Sequence, residues 1–381
     1  MASGSERAPR RRRRGWIAGA AVLALVAAAM GAGAWYGSDQ AIKVVRHGTS
    51  NTRVLAVHGD TVTLTRTPQS AKPGTYWLEW SGAHSMLGDV VSDTPGGVTR
   101  KVLRGPVPSV GTPGFFGNVP PGDPKVAWGI DFTEIMVPTE LGPAPAWYVP
   151  GDGTTWVVAV HGQNGRRKAK LKILPVVHRL GLPFLDISFR NDEGAPPSPD
   201  GLLHLGDAEW RDLEAALRQA QTMGARRFIL YGTSMGGQIV GQFLGRSPLA
   251  HLVDRVIMDA PMIDVRMTAE QGARNHHLPA FTAGLVGQII EWRTGIDIDR
   301  LSLIHHPPRV RPPLLLIHTV PDTDHPIQEA HGLVATGARL GWKIRFEPFA
   351  QGEHTEAWNV DRGRYDWLVH DFLSPVVASA P

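Results

Sequence analysis

Near the middle of the chain the sequence reads YGTSMGG, which sets Ser234 between Gly232 and Gly236 with Thr233 and Met235 beside it. A serine on a sharp turn from strand to helix needs small residues two places to either side, because a side chain there would strike the facing backbone. Such a serine is a candidate nucleophile. Its hydroxyl attacks a carbonyl only if an imidazole takes the proton, and that imidazole needs a carboxylate to fix its tautomer and steady its positive form. The chain after Ser234 offers both: TVPDTDHP carries Asp322 and Asp324, IMDAP carries Asp259, and AQGEHTEAW carries His354. Ten histidines follow Ser234, so residue type alone selects none. His354 stands out because it follows the last β-like run in a glycine-containing loop, whereas His331 and His370 read as helix-surface residues. Asp322 is favoured over Asp324 and Asp259 by its place between His318 and Pro326.

These loops follow short apolar runs rich in β-branched and aromatic residues: TEIMVP, AWYVP, TWVVAV, PFLDISF, RRFILY, DRVIMD, PPLLLIH and KIRFEPF. Helical stretches such as LGDAEWRDLEAALRQAQTMG lie between the later ones. Strands alternating with helices predict an α/β fold, a mainly parallel sheet covered on both faces, with ligands beyond the carboxyl ends of the strands. HGQNG, His161 to Gly165, follows TWVVAV and so falls at the same edge as Ser234, Asp322 and His354.

In their order and spacing HGQNG, GTSMGG, HTVPDTDHP and GEHTEAW resemble the α/β-hydrolase fold family, over Trp128 to Pro375. Through FRNDEGAP the chain is most similar to membrane-anchored hydrolases of an actinobacterial type. The resemblance implies Ser234 as nucleophile, Asp322 as acid and His354 as base. It departs from the family at Thr319, where glycine usually follows the strand-end histidine. It further implies an oxyanion hole made by the backbone N–H groups of Gln163 and Met235, aimed where negative charge develops on the carbonyl oxygen. Asn164 is expected either to line the acyl pocket or to serve as a turn residue.

Residues 262–308 are too long for a plain connection and predict a helical cap over the site. GRRKAKLK, Gly165 to Lys172, would begin a helix with cations, against its dipole; it reads as a solvated basic face, or as a contact for an anionic substrate or lipid surface. His276-His277 and His305-His306 are adjacent pairs whose side chains point apart, so no metal is assigned, and no cofactor is called for.

The net charge of +4 belongs to a tail: residues 1–15 hold six arginines against Glu6, leaving 33 basic and 34 acidic residues elsewhere. Nucleic-acid binding by the folded part is not expected. The uncharged run over residues 16–37, flanked by Trp16, Trp35 and Tyr36, is long enough to span a bilayer, with the arginines cytoplasmic and the remainder outside; a cleaved signal is the competing reading. Residues 39–127 read as a small antiparallel β unit ending in a proline- and glycine-rich linker, Gly105 to Lys125. With residues 128–375 as the hydrolase domain, the expected function is a serine hydrolase of small or lipid-like acyl esters or thioesters. A peptidase with the same triad and a catalytically silent envelope-binding module are the alternatives. With no cysteine, disulfides and thiolate chemistry are excluded.

Overall fold

The computed structural model describes residues 8–45 and 50–378. Helix α1 (Ala8–Ile42) includes Gly19–Ile42, a stretch of mean hydropathy 1.6 that is long and apolar enough to cross a membrane or to act as a signal sequence. The side chains of the basic tail lie outside the described residues. The helix runs beyond residue 37 because its last turn has partners: Ile42 is fully buried in the main hydrophobic core, and Arg293 donates to Ser38 Oγ at 2.6 Å and Asp39 Oδ1 at 2.8 Å.

Six antiparallel strands follow: β1 (Thr52–His58), β2 (Thr61–Leu64), β3 (Tyr76–Trp80), β4 (Ala83–Thr94), β5 (Gly97–Arg104) and β6 (Pro113–Gly117). They close into a barrel in the order β1-β2-β5-β4-β3-β6, which pairs every edge that an open sheet would expose. The expected linker is therefore partly a strand. PGFFG forms β6, because Gly114 lets β6 approach Leu78 and Glu79 where a Cβ would collide at 2.8–2.9 Å, and Phe116 joins Val54, Val62, Leu64, Tyr76, Leu78 and Leu87 in the barrel core. Arg100 is also buried there. Its guanidinium donates to the carbonyls of Ser70, Lys72, Gly74 and Gly88 and lies over the rings of Tyr76 and Phe116, so the charge is satisfied on every side.

After a short helix α2 (Pro124–Trp128), the eight apolar runs read from the sequence become eight strands of one sheet: β7 (Thr133–Thr139), β8 (Gly142–Val149), β9 (Thr155–Val160), β10 (Phe184–Ile187), β11 (Arg227–Thr233), β12 (Val253–Asp259), β13 (Leu314–Thr319) and β14 (Ile344–Phe349). Their order is β14-β13-β12-β11-β9-β10-β8-β7, with the six strands from β14 to β10 parallel and the β7, β8 edge antiparallel. This is the α/β-hydrolase fold. The parallel strands are apolar on both faces because helices cover both. On one face lie α4 (Trp210–Thr222), α5 (Met235–Arg246), the cap helices α6 (Val265–Asn275) and α7 (Phe281–Thr294), and α8 (Ile327–Leu340). On the other lie α3 (Leu174–Arg179), α9 (Ala357–Val360) and α10 (Arg362–Ala378), with α2. Cap helix α7 rests on α1, where Trp35 and Trp292 meet edge to face at 6.0 Å.

Candidate active site

Ser234 occupies the single step between β11 and α5 with φ 54° and ψ −129°, a strained conformation for a residue with a Cβ. Three backbone hydrogen bonds and several close contacts fix it. Its N–H donates to Asp259 O at 3.2 Å, and its carbonyl accepts from Gly237 N at 2.9 Å and Met262 N at 3.0 Å. The glycines are sterically obligatory: a Cβ on Gly232 would lie 2.5 Å from Gly236 O, one on Gly236 2.2 Å from Val160 O, and one on Gly162 2.6 Å from the Ser234 Cβ. The last approach brings the HGQNG loop against the serine. It sets Gln163 next to the elbow while Met235 opens α5, where a helix's first amides lack intrahelical acceptors.

Asp322 and His354 form a hydrogen-bonded pair, His354 Nδ1 to Asp322 Oδ2 at 2.9 Å. The other Asp322 oxygen accepts from the backbone of Asp324 and His325, both at 2.9 Å. Burial alone would raise this carboxyl, but the hydrogen bond and charge of His354, with His325 and His318 nearby, hold it down to about 2. Burial opposes charge on His354, yet its bond to Asp322 raises its pKa above the usual value. Asp324 is exposed, and Asp259 accepts from the Tyr365 hydroxyl at 3.0 Å, so neither rival carboxylate is bonded to an imidazole. His331 and His370 are exposed on α8 and α10.

The imidazole bonded to Ser234 is a different one. His325 Nε2 lies 3.4 Å from Ser234 Oγ, and the His325 ring meets the His354 ring at 4.8 Å and 75°. No hydrogen bond joins Ser234 to His354 among the described residues. His325 sits in the same TVPDTDHP segment as Asp322, but its only mark in the sequence was proximity to the aspartate; nothing there showed that the loop turns back over the elbow. Helix α6 packs against this loop: Thr268 Oγ1 lies 3.0 Å from His325 Nδ1, and Asn275 donates to Thr323 O at 2.7 Å. Thr319, where the family has glycine, donates from Oγ1 to Glu353 O at 3.0 Å and so ties the end of β13 to the His354 loop.

Asn164 sits in a turn at φ 50° and lines a small surface pocket with Val44, Val45 and Asn191, and its side chain is bonded at both ends. Its Oδ1 accepts from Val45 N and its Nδ2 donates to Lys43 O, while Gln163 Nε2 donates to Gln40 O at 2.7 Å. Behind the loop, His161 Nε2 is 2.8 Å from Asp192 Oδ2, and Asp192 belongs to the FRNDEGAP segment. A cavity of about 400 Å³ on that side is lined by Trp147, His161, Arg166, Arg167 and Lys168 among others; Ser234 is not in its walls, and its three cations are paired with Glu193, Glu134 and Glu79.

The basic GRRKAKLK segment is not the solvated face expected of it. Lys170 and Lys172 are buried, because the chain dives beneath Ser234 as the 3₁₀ turn Arg167–Lys170 ends. Lys170 Nζ bonds the Thr233 hydroxyl, one residue before Ser234, and lies 4.9 Å over the Tyr231 ring. Lys172 Nζ donates to Thr355 O and Asn359 Oδ1, both at 2.8 Å. Burial drives the two ammonium groups down, Lys170 to about 7 and Lys172 to about 8, against the opposing charge of Asp259.

The barrel reaches the same loop from outside. Lys72 bridges Glu353 at 3.3 Å and Glu356 at 2.9 Å, on either side of His354. Asn359 donates to Thr75 O and Asn118 O, and Thr75 N donates back to Asn359 O at 2.7 Å.

Comparison with known proteins agrees with this architecture. Residues 200–374 match the prolyl oligopeptidase family, and residues 53–117, the barrel, match a family described as a domain of unknown function. No curated protein sequence matches the chain. Among solved structures, an esterase of Pyrococcus furiosus superposes with TM-score 0.54 at 18% identity, covering 68% of this chain and 95% of its own. An acylaminoacyl peptidase of Pyrococcus horikoshii gives 0.53 at 14% identity over 85% of this chain and 55% of its own. A puromycin-hydrolyzing peptidase of Mycobacterium tuberculosis gives 0.52 at 18% over 85% and 46%.

Proposed function

We propose that this chain is a serine hydrolase that cleaves ester or thioester bonds through an acyl-enzyme on Ser234. The observation that carries the reading is the strained elbow serine beside an imidazole, with the buried Asp322–His354 pair in the adjoining loops. In acylation, Ser234 Oγ attacks the carbonyl carbon and His354 takes its proton, with Asp322 steadying the imidazolium. The carbonyl oxygen, now negative, sits between the amides of Gln163 and Met235. His354 then returns the proton to the departing alcohol or thiol, and water repeats the sequence to release the acid.

The prolyl oligopeptidase match over residues 200–374 favours a second reading, in which the same residues cleave an amide. The apolar helix, preceded by six arginines that favour the cytoplasmic side, supports a position at the outer face of the cytoplasmic membrane. The experiment that tests the function is labelling with a fluorophosphonate, mapping of the adduct by mass spectrometry, and turnover of two panels, acyl esters of increasing chain length and aminoacyl amides. An adduct on Ser234 is expected, with ester turnover exceeding amide turnover. An adduct on another serine, or hydrolysis that survives Ser234→Ala, overturns the mechanism. Faster amide turnover replaces the esterase reading with the peptidase one.

A further inference from the structure

The His325 ring has a chain of polar partners of its own, although its backbone N–H is bonded to Asp322. Its Nδ1 lies 3.0 Å from Thr268 Oγ1, and Thr268 Oγ1 lies 2.9 Å from Glu329 Oε1. The other Glu329 oxygen accepts from the backbone of Ile263 at 2.7 Å and Asp264 at 3.0 Å. Glu329 is fully buried. Thr268 has one hydroxyl hydrogen and stands between two groups, so the protonation of Glu329 decides which way that hydrogen points. A neutral carboxyl, with its carbonyl oxygen on the two amides and its O–H toward Thr268, sends the threonine hydrogen to His325 Nδ1. The histidine proton then sits on Nε2, facing Ser234.

We propose that His325 is a second catalytic imidazole, held by Glu329 and Thr268 with its proton on Nε2, from which it donates to Ser234 Oγ while the serine proton departs, before the charge passes to the carbonyl oxygen. The proposal rests on the hydrolase reading above. On attack, the Ser234 O–H bond breaks and its proton passes to His354 Nε2. The Oγ–carbon bond forms, and the carbonyl π pair moves onto oxygen. His325 keeps its own proton throughout. The two imidazoles thus divide the work, His354 as acceptor once it closes on the hydroxyl and His325 as donor. If both accepted, the serine hydrogen would be drawn away from the base.

The surroundings fit this division. Burial pushes the Glu329 carboxyl up to about 8, outweighing the two amides and the Thr268 hydroxyl, which favour the ionised form, with Asp264 adding to the rise. Burial also drives the His325 pKa well below the usual value, and His354 beside it acts in the same direction, so His325 stays neutral and is unsuited to take the proton itself. The 3.4 Å separation from Ser234 is long for a resting hydrogen bond, as resting catalytic contacts commonly are before substrate tightens them. Thr268 comes from the cap and Glu329 from α8, so the tautomer is set only when cap and sheet are docked.

The test compares fluorophosphonate labelling rates, and kcat against KM on an ester, for full-length wild type and six variants, with thermal unfolding checked for each. His325→Phe is expected to slow labelling and kcat by about 10- to 100-fold with little change in KM, the range for losing one hydrogen bond to an oxygen that is charged in passing. His325→Gln, whose amide donates at similar reach, should recover most of that. Thr268→Ser should recover most of what Thr268→Val loses. Glu329→Gln should lose far less than Glu329→Leu, because an amide N–H replaces the carboxyl O–H. A folded His325→Phe that labels at the wild-type rate overturns the proposal. So does a folded Glu329→Gln as slow as Glu329→Leu, which would mean that the carboxylate is needed. An unlabelled wild type would instead sink the hydrolase reading, whereas a labelled wild type with indifferent His325 variants sinks only this role.

Discussion

Asn164 grips the backbone around Val45 with both ends of its amide, accepting the Val45 N–H at 2.9 Å and donating to the Lys43 carbonyl at 3.2 Å. The loop proposed to hold the oxyanion is therefore fastened to the segment that leaves α1. Gln163 adds a third bond to Gln40, and Leu203 N donates to Ile42 O at 2.8 Å on the other side. Residues 35–45 belong to the catalytic domain and are no mere tether.

This makes N-terminal truncation a two-step experiment. A chain begun at Trp35 should keep its labelling rate within a few-fold, because the strap and Ile42 remain. A chain begun at Ser50 should lose the burial of Ile42, about 1.5–3 kcal/mol by itself, and the three loop bonds, with kcat falling at least tenfold. Equal kcat and melting temperature for the two chains would show that the strap does not position the loop.

The acid can be checked by three substitutions. Asp322→Asn should cut turnover by up to about 10,000-fold while the fold persists, since the imidazole loses its orienting charge. Asp324→Asn should do little, as its side chain is exposed. Asp259→Asn should act mainly on stability, through the buried Tyr365 hydroxyl it accepts from. A larger loss of turnover from Asp259→Asn than from Asp322→Asn would reverse the assignment.

Lys170 gives stability a pH dependence of definite sign. Its folded pKa is depressed from the usual 10.5 to about 7, so between these values the unfolded chain holds a proton that the folded chain lacks. Stability should therefore rise with pH across that window, and below it the folded protein carries the full cost of a buried ammonium, several kcal/mol. Lys170→Met should raise the melting temperature most near pH 6 and flatten the rise above pH 7, leaving the smaller contribution of Lys172. Melting curves from about pH 6 to 9 decide it; an unchanged slope would mean that Lys170 is charged in the fold throughout.

Asn359 connects barrel, buried lysine and histidine loop at once. Asn359→Ala removes its bonds to Thr75 O and Asn118 O and leaves Lys172 one acceptor short. A loss of about 2–4 kcal/mol in denaturant unfolding is expected from the stranded buried groups, together with a lower labelling rate as the His354 loop loosens. Wild-type labelling in this variant would show that the barrel does not position that loop.

The sheet was legible in the sequence because its strands are apolar on both faces and punctuated by glycine, proline and aspartate, which is how all eight runs from TEIMVP to KIRFEPF announced themselves. Ser234, Asp322 and His354 followed from strand-end loops in a recognisable order. Other features were hidden for physical reasons. Strand β6 looks like a linker because proline and glycine signal turns, yet at a crowded barrel seam glycine is what permits pairing. Lys170 and Lys172 look solvated because charge usually is, and only the third dimension brings Thr233, Thr355 and Asn359 to their ammonium groups. His325 and Asn164 act through partners 57 and more residues away, a distance at which local pattern carries no information.

The bridge from Lys72 to Glu353 joins residues 281 positions apart. During synthesis the barrel can close early, from local antiparallel pairs, but the groups it presents to the His354 loop have no mates until the last strand and the loop after it have emerged. Ser234 and its glycines are made well before then. A nascent chain thus carries Ser234 without its proposed partners for as long as translation takes to pass Asn359, and the site is completed in one late step instead of growing with the chain.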